Sequence, residues 1–295
     1  MAKENFKSGF VSIIGKPNVG KSTLMNAMVG EKLSIITSKA QTTRHRIMGM
    51  LTSDDFQIIY SDTPGILEPE YELHKTMMKF VNESLEDADL ILFVVDLMDK
   101  YENEQIIDVL NEIDTPVILV INKSDLNEGS RLKDKTDYWD LIMPDKEIIA
   151  VSALNNENID VLLKQIMNHI PVHPAYFPED TLTDKPEKFF AAEIIREKIF
   201  ENYKQEVPYS TEVEIESFKE EEHIIRMRAE IFVERKTQKG IIIGKGGESI
   251  KKMGTEARIA MEAFFGKKVF LETFVKVEEN WRKSERHLRR FGYKQ

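Results

Sequence analysis

The sequence of 295 residues contains no cysteine, so it can form neither a disulfide bond nor a thiolate metal site. This absence fits a reducing compartment such as the cytosol. Long hydrophobic runs are absent too, because the longest strongly apolar stretch is Leu90–Val95, whereas a membrane-spanning helix needs roughly 20 such residues. No secretory pattern opens the sequence. We therefore expect a cytoplasmic protein that does not cross a membrane.

A surplus of positive charge is also missing from the sequence as a whole, which has a formal net charge of −10. The charge is unevenly distributed, however. Residues 1–186 carry 18 basic and 31 acidic side chains, residues 187–234 carry 7 and 13, and residues 235–295 carry 16 and 7. The last segment is a basic module of the kind that binds phosphate-rich partners. The plainer interpretation of it is a solvated charged face.

The most specific motif lies between an apolar strand pattern at Phe10–Ile14 and a helical pattern at Thr23–Val29. It matches Gly, any four residues, Gly, Lys, then Ser or Thr, a loop that wraps backbone N–H groups around nucleotide phosphates. We expect the amine of Lys21 to contact the outer phosphates and the hydroxyl of Ser22 to coordinate Mg²⁺. The candidate phosphate-binding residues are Gly15, Lys16, Pro17, Asn18, Val19, Gly20, Lys21, Ser22 and Thr23.

Two further segments are candidates for sensing the outermost phosphate. Either Thr42 or Thr43 could place its hydroxyl on the same Mg²⁺, and we favour Thr43. The second segment follows a predicted strand, at the edge where open α/β sheets bind ligands, and consists of Asp62, Thr63, Pro64, Gly65 and Ile66. Asp62 would hold the metal through a water molecule, and Gly65 would bring its N–H close to the phosphate because it has no Cβ.

The base is expected to be read by residues that follow two later predicted strands, namely Asn122, Lys123, Ser124, Asp125, Ser152 and Ala153. The carboxylate of Asp125 can accept two hydrogen bonds from guanine, whereas adenine offers no matching pair of donors. Leaving a charged acceptor unpaired costs about 1–3 kcal/mol or more. Asn122 would brace the loop, the stem of Lys123 would lie along the base, and the N–H groups of Ser152 and Ala153 would meet the guanine O6. The sequence therefore favours GTP over ATP.

Predicted strands alternate with predicted helices through residues 1–170. Examples of the helices are Glu102–Asn111 and Ile159–His169. This alternation indicates an α/β domain with a doubly wound, mainly parallel sheet. Residues 171–186 interrupt the pattern with four prolines, which is typical of a stiff linker. We therefore predict a first domain over residues 1–170 and a boundary at the linker.

Residues 187–277 predict a second, smaller α+β domain. A helical pattern at 187–203 is followed by two strands of alternating apolar residues and by a glycine loop. This loop lacks the spacing and the hydroxyl residue of a second nucleotide loop. With a helix and a strand after it, the loop is similar to the Gly-x-x-Gly loop of the type II KH fold, which clamps an RNA backbone.

Residues 278–295 predict a basic helix or tail, in which four arginines and Tyr293 would share one face and extend an RNA-binding surface. The candidate RNA-binding residues are Ile243, Gly244, Lys245, Gly246, Gly247, Lys251, Arg282, Arg286, Arg289 and Arg290.

The order of the nucleotide motifs resembles that of translation-factor-related GTPases. From Ser8 to Tyr293 the chain resembles the Era family of bacterial ribosome-assembly GTPases, on motifs that include Gln41-Thr42-Thr43-Arg44, Tyr176-Phe177-Pro178 and Asn280-Trp281-Arg282. The resemblance implies Mg²⁺ with GTP or GDP, binding of 16S rRNA near its 3′ end, and maturation of the small ribosomal subunit. It also implies peripheral contact with the inner face of the cell membrane in some members. We expect a monomer.

The expected catalytic residues are Asn18, Lys21, Thr43 and Gly65. Ile66 stands where signalling GTPases carry a glutamine that orients the attacking water, so we expect slow hydrolysis by the isolated protein. Resemblance to GTPases with asparagine at the position of Asn18 adds the hypothesis that a K⁺ ion there substitutes for a catalytic arginine.

The sequence predicts a switch in which Mg²⁺-GTP orders the segments around Thr43 and Gly65 and thereby changes RNA binding. Two alternatives stay open. The basic module could dock on proteins or on an anionic membrane instead of RNA. An ATPase or a kinase would require ATP to compete with GTP, which Asp125 argues against.

Overall fold

The computed structural model describes residues 5–37, 39, 41–99 and 104–294, and it divides into two compact units. The first unit contains the residues up to Ser34, Thr43–Glu68 and Met77–Asp184. The second contains Ile35–Thr42, Pro69–Thr76 and the residues from Lys185 onward. The first residues of the helix predicted from Glu102 lie outside the described residues.

The first unit is built on a six-stranded sheet. Its strands are β1 (Lys7–Ile14), β2 (Ile47–Thr52), β3 (Phe56–Asp62), β4 (Leu90–Asp96), β5 (Val117–Asn122) and β6 (Glu147–Ala150). They lie in the order β2-β3-β1-β4-β5-β6, and every neighbouring pair is parallel except β2 with β3. The prediction of a mainly parallel sheet is thus confirmed, and the edge strand β2 is an addition to it.

Helices alternate with these strands: α1 (Lys21–Val29), α2 (Glu72–Glu86), α3 (Glu104–Glu112), α4 (Arg131–Ile142) and α5 (Ile159–His169). The strands β4 and β5 are buried almost throughout, as expected of parallel strands that are covered on both faces. The order of strands reverses beside β1, and the carboxyl ends of β1, β3 and β5 carry the predicted nucleotide motifs. Ligands of open α/β sheets bind at such a point.

Residues 171–184 of the predicted linker belong to the first unit and are hydrogen-bonded to its sheet. The side-chain amide of Gln57 is fully buried and bonds this segment at three points. Its Oε1 accepts from the N–H groups of Tyr176 at 2.8 Å and Phe177 at 2.9 Å, and its Nε2 donates to the carbonyl of Phe177 at 2.9 Å. The ring of Tyr176 also packs on Phe10, with 4.8 Å between centroids.

The second unit has a three-stranded sheet of β7 (Glu212–Glu220), β8 (Ile224–Val233) and β9 (Lys268–Val277), in that order. Its helices are α6 (Glu187–Asn202), α7 (Lys236–Ile243), α8 (Glu248–Phe265) and α9 (Glu285–Arg290). The strand β7 is antiparallel to β8, and β8 is parallel to β9. One face of β8 and β9 contributes alternate residues to a core shared with α6 and α8. This succession of elements is the predicted α+β arrangement.

The residues after β9 differ from the continuous helix that the sequence suggests. A 3₁₀ turn at Trp281–Lys283 and the short helix α9 are separated by Ser284, whose hydroxyl caps α9. Tyr293 is only 2% exposed, and its hydroxyl donates to Glu212 at 2.6 Å. Tyr293 therefore belongs to the interior of the second unit. Across the described residues, no helix has both the length and the apolar character that crossing a bilayer demands.

We expect the substitution Gln57→Leu to lower the free energy of unfolding by about 1–3 kcal/mol, because part-buried backbone groups at Tyr176 and Phe177 would lose their partners. Chemical denaturation measures this loss. Gln165→Leu is the control, since Gln165 lies on α5 and accepts a surface bond from Asn168. Equal stability of the wild type and the Gln57 variant would contradict the assignment of a stabilising role to this amide.

Candidate functional site

The phosphate loop connects β1 to α1, and its backbone is constrained by close neighbours. Gly20 has φ +96°, and a Cβ there would lie 2.2 Å from the amide nitrogen of Asn122. Gly20 is also the N-cap of α1, and no side chain of the described residues caps that helix. The first N–H groups of the helix are thus left for a ligand, and the helix dipole favours an anion at this end.

Lys21 is buried at the start of α1, and its ammonium donates to the carbonyls of Gly15 at 3.0 Å and Lys16 at 2.9 Å. Burial lowers the pKa of Lys21 to about 8, against a smaller opposing effect of the Asp62 carboxylate. A phosphate bound in the loop would supply the negative charge that a buried ammonium needs. A bound phosphate would therefore stabilise the charged form of Lys21, as the predicted contact with the outer phosphates requires.

Three oxygen-bearing side chains converge beside the loop. The hydroxyl of Ser22 lies 2.9 Å from the hydroxyl of Thr43 and donates to Asp62 Oδ2 at 2.7 Å, and Thr43 donates to the same oxygen at 3.4 Å. Burial raises the pKa of Asp62, while the bond from Ser22 and the charge of Lys21 oppose this shift. Oxygen donors of this kind suit Mg²⁺, and a divalent cation would compensate the buried carboxylate. The donor set fits the predicted metal.

The structure distinguishes the two threonines. The hydroxyl of Thr42 lies 2.6 Å from the hydroxyl of Thr37 and donates to the carbonyl of Lys39 at 2.7 Å, so it is bonded within its own segment. The hydroxyl of Thr43 lies in the oxygen cluster with Ser22 and Asp62. This geometry supports Thr43 as the metal ligand.

The segment after Asp62 runs against the phosphate loop. The N–H of Ile66 donates to the carbonyl of Gly15 at 3.0 Å. A Cβ on Gly65 would lie 2.6 Å from Pro17, so only glycine permits this approach. The hydroxyl of Thr63 donates inward to the carbonyl of Ile13 at 2.8 Å, and the side chain of Thr63 therefore braces the sheet rather than facing a nucleotide.

The predicted base-reading residues form one bonded network with the phosphate loop. The amide of Asn122 donates to the carbonyl of Val19 at 2.9 Å and accepts from the N–H of Ala153 at 3.0 Å. Asp125 is exposed, and its Oδ1 accepts from the hydroxyl of Ser152 at 2.6 Å. This bond orients the carboxylate and leaves its other oxygen for a ligand.

Asp96 is a further residue of this site and lies outside the predicted set. Lys123, which has φ +65°, donates to the carbonyl of Asn18 at 3.0 Å and to the carboxylate of Asp96 at 2.5 Å. Asp96 thus fixes the stem of Lys123 where the base is expected. The feature of the sequence that could have identified Asp96 is its place as an acidic residue at the carboxyl end of the buried strand β4.

In the second unit, the predicted glycine loop joins α7 to α8 through a 3₁₀ turn at Lys245–Gly247. Lys245 and Gly246 are exposed, Ile243 is half-buried before the loop, and Lys251 is exposed on α8. Gly246 has φ +61°, and no atom lies within 4 Å of the position its Cβ would take. The loop therefore presents backbone and a cation to solvent.

The four C-terminal arginines do not share one environment. Arg282 donates to Glu234 at 2.5 Å, and Arg290 pairs with Glu214 at 2.8 Å and stacks over Phe232. These arginines hold elements of the second unit together. Arg286, Arg289 and Arg290 all face solvent, but Arg290 is also held by its ion pair with Glu214.

Two family models match the chain. One, described as a 50S ribosome-binding GTPase, matches residues 10–123, and the other, described as a KH domain, matches residues 206–282. Together with the phosphate loop, the oxygen cluster and the base-reading network, they define the class: a P-loop GTPase followed by a KH domain.

Relatives match nearly the full chain. GTPase Era of Ruminiclostridium cellulolyticum is 45% identical over 293 residues, which cover 98% of each chain. GTPase Era of Syntrophus aciditrophicus is 47% identical over 292 residues, which cover 98% of this chain and 95% of the relative. A crystal structure of Era in complex with MgGDPNP and nucleotides 1506–1542 of 16S ribosomal RNA has a TM-score of 0.94 at 40% identity, covering 98% of this chain and 100% of that one. The chain belongs to the Era family of GTPases.

We expect Thr43→Ala to raise the Mg²⁺ concentration needed for half-maximal GTP hydrolysis by about tenfold or more, because one oxygen of the cluster is lost. Thr42→Ala should change it much less, since that hydroxyl is bonded to Thr37 and Lys39. Titration of Mg²⁺ in a phosphate-release assay measures both. Equal shifts in the two variants would remove the distinction between the threonines.

Proposed function

We propose that this GTPase is a nucleotide-controlled switch that binds 16S rRNA near its 3′ end through the KH domain and acts in assembly of the small ribosomal subunit. The observation that carries the proposal is the near full-length match to Era in complex with that RNA, combined with an exposed glycine loop on a basic segment of this chain. The family model described by the 50S subunit covers residues 10–123 alone. The RNA partner that we propose is therefore the 16S rRNA of the solved complex.

On the nucleotide side, Lys21 and the N-terminal amides of α1 would bind the phosphates, and Asp125 would select guanine. Ser22, Thr43 and Asp62 would hold Mg²⁺, which would neutralise charge on the outer phosphates. Ile66 offers no side chain that could orient water. Slow turnover by the isolated protein follows from this arrangement.

On the RNA side, the glycine loop would lie against the sugar-phosphate backbone, with Lys245 and Lys251 as phosphate contacts. Arg286 and Arg289 extend the candidate surface. Arg282 and Arg290 contribute indirectly, because their guanidinium groups are bonded to Glu234 and Glu214.

A second candidate keeps the GTPase and assigns the basic segment to docking on acidic proteins or on the inner face of the membrane. Its net charge favours any anionic partner, so salt dependence alone does not separate the candidates.

We further propose that the protein is a cytoplasmic monomer that contacts the small ribosomal subunit.

The substitution Gly246→Asp tests the RNA interface. It adds an acidic side chain beside the expected RNA backbone, and we expect affinity for RNA containing nucleotides 1506–1542 of 16S rRNA to fall by about tenfold or more, equivalent to ~1.4 kcal/mol. The matched control is Gly266→Asp, because Gly266 has φ +66° and equally open surroundings at the end of α8. Fluorescence anisotropy at fixed salt measures the affinities.

Equal RNA affinity in the two glycine variants would exclude the loop as the interface. If both variants also kept their binding to vesicles of anionic phospholipid while the wild type bound RNA weakly, the docking candidate would replace the proposal.

We further propose that Asn18 helps to hold a K⁺ ion during hydrolysis. Asn18 has φ +66° in the phosphate loop, and its carbonyl accepts from Lys123 at 3.0 Å. We expect faster GTP turnover in K⁺ than in Na⁺ at equal ionic strength, and loss of this difference in Asn18→Ala. Asn168→Ala, an exposed change on α5, is the control. Equal rates of the wild type in the two salts would reject the role of K⁺.

A further inference from the structure

Helix α6 carries charged side chains where a core-facing helix normally carries apolar ones. Glu193, Arg196 and Glu197 are 6%, 1% and 2% exposed. Buried charges cost free energy unless they are paired, and a well-packed apolar residue is often as stabilising as a buried ion pair. The hydrogen-bond partners of these three side chains therefore indicate why charged residues occupy these positions.

The guanidinium of Arg196 makes two kinds of bond. It pairs with Glu193 through Nε to Oε1 at 2.7 Å and through Nη2 to Oε2 at 3.0 Å. Its Nη2 also donates to the backbone carbonyl of Thr42. Thr42 belongs to segment 35–42, which is part of the same unit as α6. The segment is described at residues 35–37, 39, 41 and 42.

Two more polar contacts join this segment to α6. The ammonium of Lys39 donates to the carbonyls of Phe200 and Tyr203 at the end of the helix, where the helix dipole favours a cation. The N–H of Ile36 donates to Glu197 Oε1 at 3.4 Å. The segment is thus held near its beginning, in its middle and at its end.

The contact at Thr42 also restricts the next residue along the chain, Thr43, whose hydroxyl belongs to the oxygen cluster. The carbonyl that Arg196 binds belongs to the peptide group between Thr42 and Thr43, and that group is rigid and planar. In the same structure the hydroxyl of Thr43 lies 2.9 Å from that of Ser22. Attachment of the segment to α6 therefore constrains the backbone immediately before Thr43.

We propose that Arg196 and Lys39 are positioning residues for Thr43, and that α6 is the element through which RNA binding and nucleotide state affect each other. The part that concerns RNA rests on the proposed function. The part that concerns Thr43 does not, because it requires only the nucleotide.

The first test measures affinities for Mg²⁺-GDPNP and Mg²⁺-GDP in the wild type, Lys39→Met and Arg196→Lys. A γ-phosphate is needed to order such a segment on the metal, so we expect GDPNP affinity to fall by about fivefold or more and GDP affinity to change by less than about twofold. Lys133→Met, an exposed change on α4, should alter neither. Lys39→Met removes no buried side chain, so it tests the proposal even if the Arg196 variant fails to fold.

A double-mutant cycle tests whether Lys39 acts through Thr43. In a Thr43→Ala background, Lys39→Met should cause no further loss of discrimination between GDPNP and GDP, because the group that it positions is absent. Additive losses, or equal losses for both nucleotides, would overturn the inference.

The RNA arm compares affinity for the 16S rRNA fragment in the two nucleotide states. We expect the ratio of the two affinities to move toward one in Lys39→Met, as reciprocal coupling requires. A wild type whose RNA affinity ignores the nucleotide would defeat the switch in the proposed function, and the nucleotide arm would still decide the role of Lys39. An unchanged ratio in the variant, beside a coupled wild type, would overturn the role of α6.

Discussion

The nucleotide site depends on two buried opposite charges, the ammonium of Lys21 and the carboxylate of Asp62. Burial lowers the pKa of the first and raises that of the second, so each is held in an environment that disfavours its charged form. Phosphates and a divalent cation would supply the missing counter-charges. Ligands that bind the folded state alone also stabilise it by mass action. The same feature therefore links recognition of the nucleotide to the stability of the first unit.

The surroundings of these charges leave little freedom. Gly65 lies against Pro17, so the segment that carries Asp62 is packed at backbone distance against the loop that carries Lys21, and Gly20 of that loop lies against the side-chain amide of Asn122. Close-packed interiors respond to small changes by discrete rearrangement rather than by gradual deformation. Such packing suits a site that must distinguish a triphosphate from a diphosphate, because the presence of one phosphate has to alter the contacts of a whole segment.

Sequence alone predicts the phosphate loop, the candidate metal-binding oxygens and the candidate base-reading residues, because each is defined by a short spacing beside a predicted strand. It does not predict that the N–H groups of Ser152 and Ala153 are bonded within the protein, to Glu157 and Asn122. It did not find the edge strand β2, whose Ile47–Thr52 pattern is interrupted by Gly49 and shows no clear alternation. Nor did it find the roles of Asp96, Arg282 and Arg290. Their partners lie 27, 48 and 76 residues away, and pairing at that range is set by the tertiary fold rather than by local pattern. Helical periodicity consequently predicted that four arginines share one face, whereas the structure gives them different surroundings.

The amide of Asn122 bonds the phosphate loop at Val19 and the base-reading loop at Ala153. A molecule that orders one loop therefore lowers the conformational entropy that remains to be lost when the other is ordered. Guanosine and inorganic phosphate, offered as separate fragments, would each bear an ordering cost that the intact nucleotide meets once. The pocket is in this sense cooperative within a single ligand, and it recognises a nucleotide as a whole rather than as the sum of its base and its phosphates.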